Sequence, residues 1–150
     1  MGPTPNQVEL YRHLFARVDD AYGEVVAGKV STVREPVTDK LIASHLTGSR
    51  HLGFFLVDAD GMVDRGYIDV DLPKHLFKNP EATEDELQEH WEAARTRVFL
   101  CALVLAAVNI EFYVESSRSK GFHLVVHTSE PVPAGLMKQL LTAVTVEAKI

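Results

Sequence analysis

Two short stretches of this chain hold residue types that could do chemistry together. The first is Tyr67-Ile68-Asp69-Val70-Asp71, with two aspartates one residue apart. The second is Glu115-Ser116-Ser117-Arg118-Ser119-Lys120-Gly121-Phe122-His123, which sets serines, two cations, a glycine and a histidine between two strand-like runs. Carboxylates brought close together repel unless a cation neutralises them, and hard divalent ions such as Mg²⁺ or Mn²⁺ suit their oxygens. A polar, cationic turn supplies hydroxyl and N–H donors, and its glycine lets the backbone come close to a phosphate chain. Metal beside a triphosphate cradle is a layout for phosphoryl transfer. Taken alone, the second stretch reads more simply as a wet hairpin turn. The chemical reading therefore depends on the elements around it.

Those elements follow from periodicity and caps. Thr4, Pro5 and Gln7 form a helix start with a capping box, and apolar residues from Val8 to Tyr22 keep helical spacing up to Gly23. Residues 24–36 read equally as short strands or loop. Thr38 caps a short helix ending near Gly48, and His45 and His51 beside it read as structural. Leu52 to Val57 reads as a strand, Asp58-Ala59-Asp60-Gly61 as a turn, and Met62 to Asp71 as the returning strand. Asp58 and Asp60 also open like a calcium loop, but the later ligands are wrong. Thr83 and Glu86 start a long helix after a polar linker from Asn79, with Leu87, Trp91, Ala94, Val98, Cys101 or Leu100, and Val104 or Leu105 facing the core. His75 and His90 read as surface or packing residues. Asn109 suits a left-handed cap. Ile110 to Glu115 and Phe122 to His127 make a hairpin, Gly135 to Thr145 a helix, and Val146 to Ile150 a last strand.

From Met62 onward this is strand, helix, strand, strand, helix, strand. The expected fold class is α+β, with a ferredoxin-like or RNA-recognition-motif-like βαββαβ core over about residues 62–150 and an N-terminal helical and β-hairpin extension. The expectation is one domain over 1–150, with a helical subregion at 1–51 and the core at 52–150. In this topology the first and third core strands are antiparallel neighbours, so Asp69 and Asp71 end beside His123. Alternation puts Tyr67, Asp69 and Asp71, then Glu111, Tyr113 and Glu115, then His123 and His127, on the face opposite the helices. Glu147 on the last strand joins them.

Composition narrows the classes. The net charge of -6 argues against coating nucleic acid by bulk electrostatics, but not against a local grip. The one cysteine, Cys101, excludes an internal disulfide framework and a Cys-rich zinc site, and its apolar helix makes it a packing residue. The chain starts without a secretory pattern, and its longest apolar run, Val98 to Val108, is too short to span a bilayer. A cytoplasmic location, away from membranes, is the default expectation.

The aspartate strand and the Ser-Arg-Ser-Lys-Gly-Phe-His segment resemble the archaeo-eukaryotic primase, or primase-polymerase, superfamily. Ser129-Glu130-Pro131-Val132-Pro133-Ala134, His45-Leu46-Thr47-Gly48 and Leu52-Gly53-Phe54-Phe55-Leu56 are similar to sequences around those motifs in primase domains of bacterial conflict systems and CRISPR-associated primase-polymerases. The resemblance covers roughly residues 36–150. It implies a nucleotidyltransferase that binds nucleoside triphosphates and starts or extends a strand on a DNA or RNA template or primer. It implies Asp69 and Asp71 as ligands of Mg²⁺ or Mn²⁺, with Glu147 as the third acid, and His123 on the nucleotide phosphates beside Ser117, Arg118, Ser119 and Lys120. The residues that follow the third acid in the family are missing, so the expectation is a catalytic domain that is either minimal or truncated at its C-terminus, working with further domains or subunits such as a helicase or nuclease. The alternative reading is a non-catalytic RNA-recognition-like module that binds nucleotides or single-stranded nucleic acid; a third is a ferredoxin-like assembly domain.

Overall fold

The computed structural model describes residues 2–74, 76, 82–117 and 121–150. The chain divides into two compact units, Met1–Met62 and Val63–Ile150. His75 and the linker residues Asn79, Pro80 and Glu81 lie outside the described residues.

In the first unit, helix α1 (Pro5–Phe15) begins with the expected box: Gln7 N donates to Thr4 Oγ1 at 3.3 Å and Thr4 N to Gln7 Oε1 at 2.8 Å. It ends sooner than apolar spacing predicts. Ala16 caps it, and Tyr22 opens a strand. Ala16 and Tyr22 enter the same core with Val8, Val37, Ile42 and Leu52, so residues from a helix end and a strand mimic one continuous helical stripe. Residues 24–36, ambiguous by pattern, contain the hairpin of β1 (Tyr22–Val26) and β2 (Lys29–Val33). It turns on Ala27 and Gly28, whose φ values of 50° and 75° suit a two-residue hairpin. Helix α2 (Asp39–Leu46) is capped by Thr38, as predicted.

Strand β3 (Leu52–Phe54) pairs with β1, giving the order β2-β1-β3. It is therefore not the hairpin partner of the strand after it, and residues 52–62 belong to the first unit, not to the core expected from residue 52. The turn itself is as expected. Asp58 Oδ1 accepts from Asp60 N and Met62 N, and Arg17 reaches Oδ2 at 3.1 Å. The Met62 N–H first, then Arg17, hold the Asp58 carboxyl below its ordinary range. Its oxygens serve the turn.

The second unit is built from β4 (Met62–Asp71), α3 (Glu84–Ala107), β5 (Phe112–Ser117), β6 (Gly121–Pro133) and α4 (Ala134–Glu147). This α+β arrangement, with the sheet order β4-β6-β5, is compatible with a ferredoxin-like core. Strands β4 and β6 run antiparallel: Thr128 bonds Asp64 O at one end, and Gly121 abuts Val70 and Asp71 at the other. Both helices pack on one face. Ile68, Val70, Leu124 and Val126 meet Ala94, Val98, Cys101 and Leu105 of α3 and Val144 of α4. The buried residues of α3 decide for Cys101 and Leu105 over Leu100 and Val104. Asn109 takes φ 56°, the left-handed conformation expected of it.

The last strand, expected over 146–150, does not form. Helix α4 runs to Glu147 and is capped by Ala148, and Ile150 N bonds back to Thr145 O. Val146, Ala148 and Ile150 alternate, but Val144 and Ala148 lie one helical turn apart and both are buried. A five-residue alternation competes poorly with a helix already anchored in the core.

Candidate active site

Alternation along β4 decides which side chains can do chemistry. Ile68 and Val70 sink into the core, which leaves Asp69 and Asp71 exposed on the other face, beside the half-buried Tyr67. Along β6, Leu124 and Val126 do the same and leave His123 and His127 on the far side. The β5–β6 register pairs Ser117 with Gly121 and therefore Glu115 with His123. Directly opposed residues on neighbouring strands are within side-chain reach.

These constraints converge on His123. Its Nε2 lies 3.4 Å from Asp69 Oδ1 of β4, and its Nδ1 lies 2.7 Å from Glu115 Oε1 of β5. The Tyr67 ring stands nearly perpendicular to the imidazole, at 6.4 Å between centroids and 89°. Arg65, two residues earlier on the same face and only 3% exposed, donates from Nε to the Tyr67 hydroxyl at 3.2 Å and pairs with Asp64. Asp69 and Asp71 also border an open groove of about 620 Å³ along β4, whose remaining lining, Ile68, Val70, Arg97, Thr145, Lys149 and Ile150, lies toward the helices and does not include His123. That volume is within the range of small-molecule sites, roughly 300–1,000 Å³. A larger, more apolar groove of about 740 Å³ in the first unit, along α1 and α2, is lined, among the described residues, without any carboxylate, histidine, lysine or arginine.

Gly121 explains why β4 and β6 meet so closely at the aspartates. Its φ is 151°, and a Cβ there would overlap the carbonyl of Val70. Only glycine fits where the neighbouring backbone passes so near.

Asp69 and His123 are thus brought together as the sequence predicts, and Asp71 shares their face. Ser117 closes β5 opposite Gly121. Arg118, Ser119 and Lys120 lie outside the described residues. Glu147 is not on a strand beside the aspartates; it ends a helix, exposed, and the placement that argued for it as a third ligand falls with the strand. Among the described residues, no group of three or more His, Cys, Asp or Glu side chains is placed to share a metal ion. Two exposed carboxylates on one strand still fit a hard divalent cation. Mg²⁺ is commonly held by one or two carboxylates and completes its coordination with water and substrate phosphates.

Sequence reasoning placed Glu115 on this face without giving it a role, and it did not single out Arg65, Arg97 or Lys149. Glu115 was within reach, since counting back from a Ser117–Gly121 hairpin closure sets it against His123. Arg97 comes from α3 and Lys149 from the turn beyond α4, and neither carries a local signal.

A family model described as "TOTE conflict system, Archaeo-Eukaryotic Primase domain" matches residues 23–150. No curated protein matches the chain.

Proposed function

Because the chain belongs to the archaeo-eukaryotic primase domain family of TOTE conflict systems, a primase-polymerase type of domain with nucleotidyltransferase chemistry, we propose that its second sheet is a metal-dependent site that joins nucleotides to a DNA or RNA strand. The observation that carries this reading is the placement of Asp69, Asp71 and His123 on one face, with His123 Nε2 3.4 Å from Asp69. Asp69 and Asp71 would hold Mg²⁺ or Mn²⁺. Such an ion, when bound, favours attack of a 3′-hydroxyl on the α-phosphate and neutralises the leaving pyrophosphate. His123 binds and orients the phosphate chain of the incoming nucleoside triphosphate. Ser117, Arg118, Ser119 and Lys120 supply hydroxyl and cationic donors beside it, and template or primer lies along the same face. A helicase, nuclease or other domain is the expected working partner.

The test is a paired substitution. Asp69→Ala with Asp71→Ala should abolish Mn²⁺-dependent incorporation of labelled nucleotides on primed and unprimed templates, while circular dichroism and melting remain native. Undiminished extension by the double variant refutes the assignment.

A further inference from the structure

We infer that Glu115 is the positioning residue of this site: it holds the proton of the His123 imidazole on Nδ1 and so presents Nε2 on the Asp69 side. The functional meaning of this rests on the reading of His123 as the nucleotide-contacting residue, whereas the geometry does not.

The two nitrogens are held unequally. The contact from Nδ1 to Glu115 Oε1 is 2.7 Å, and that from Nε2 to Asp69 Oδ1 is 3.4 Å. Hydrogen bonds of this type span about 2.7–3.2 Å. Glu115 therefore makes a short bond, while Asp69 is only a neighbour. An ionised carboxylate can accept but not donate, so the nitrogen it grips is the one that carries hydrogen. In an imidazole with one proton, the other nitrogen is then bare, so it is Nε2 that takes the second proton with which the ring can donate to a phosphate oxygen. Among the described residues, Asp69 is the only polar partner that Nε2 has.

The ring is fenced as well as tethered. Register holds Glu115 opposite His123, which keeps the carboxylate within side-chain reach of the ring. Tyr67 stands edge-on to the imidazole, and its hydroxyl accepts from the buried Arg65. A rotation that exchanged the two nitrogens would break the Glu115 bond and push against this pair. Glu115 itself has no other partner among the described residues.

The experiment is nitrogen NMR on histidine-labelled full-length chain, in EDTA, at a pH where the ring keeps one proton. The expected wild-type pattern for His123 is a protonated Nδ1 and a bare Nε2. Glu115→Gln keeps the size of the side chain but can donate as well as accept, so the pattern should shift toward a mixture of tautomers. The same variant should raise the nucleotide KM on the order of ten-fold and change kcat less, as expected for a lost carboxylate partner of a functional histidine. A wild-type ring protonated on Nε2 overturns the inference without any variant being made. An unchanged pattern in a folded Glu115→Gln protein also overturns it. The expected pattern in a protein that never incorporates nucleotide supports Glu115 as the ring's anchor and removes the polymerase reading instead.

Discussion

His45 and His123 are both partly buried imidazoles with Nδ1 engaged, yet the partners make them opposites. His123 Nδ1 faces a carboxylate and carries hydrogen. His45 Nδ1 accepts from Leu52 N at 3.3 Å, inside a ring cluster with Tyr11 and Phe54, and must stay bare to do so. Burial holds the His45 pKa below its ordinary value. The unfolded chain then takes up a proton more readily than the folded one as pH falls. Stability from this residue is complete above the unfolded value of about 6.5 and is lost as pH drops from there through the lower folded value. Melting followed from about pH 7.5 to about pH 5.5 should show a fall that His45→Phe reduces, because phenylalanine keeps a ring and takes no proton. An identical acid fall in both proteins would show that another group is responsible.

The hairpin of β5 and β6 is the element on which the site depends. Its register sets Glu115 against His123, and Gly121, the first residue of β6, lets β4 bring Asp69 alongside. Gly121→Ala adds a methyl group into the Val70 carbonyl at a φ of 151°. Neither strand backbone can yield cheaply, since both are tied into the sheet. The expected cost is at least about 2 kcal/mol of unfolding free energy by urea titration, because overpacking and backbone strain add. Any folded remainder should lose nucleotide-dependent stabilisation, as β4 and β6 are pushed apart where Asp69 and His123 meet. A variant as stable as the parent would mean that the strands do not approach this closely.

The whole molecule carries a net charge of -6, which repels nucleic acid before any contact is made. Part of that charge is Asp69 and Asp71, which face solvent on the proposed site. Affinity for single strands should therefore be weak in EDTA, rise with Mn²⁺, and fall off only gently with salt, since few cations contribute. Fluorescence anisotropy titrations with and without the metal read this directly. Binding indifferent to EDTA would favour a module that holds nucleic acid without turnover. Among the described residues, no helix is long and apolar enough to cross a membrane.

Much of this was legible in local pattern. The capping boxes at Thr4 and Thr83, the Asn109 cap, the alternation of β4 and the pairing of Asp69 with His123 each follow from a few neighbouring residues. Caps and strand periodicity are short-range physics, so sequence alone determines them. Where the chain had two adequate local choices, packing decided. Residues 146–150 alternate like a strand but finish a helix because Val144 and Ala148 were wanted in the core, and β3 joined β1 because its partner was set by that unit's own core. The hold of Glu115 on one nitrogen of His123 is the same kind of fact: both residues are plain in the sequence, but only the register of two strands brings a carboxylate to that atom.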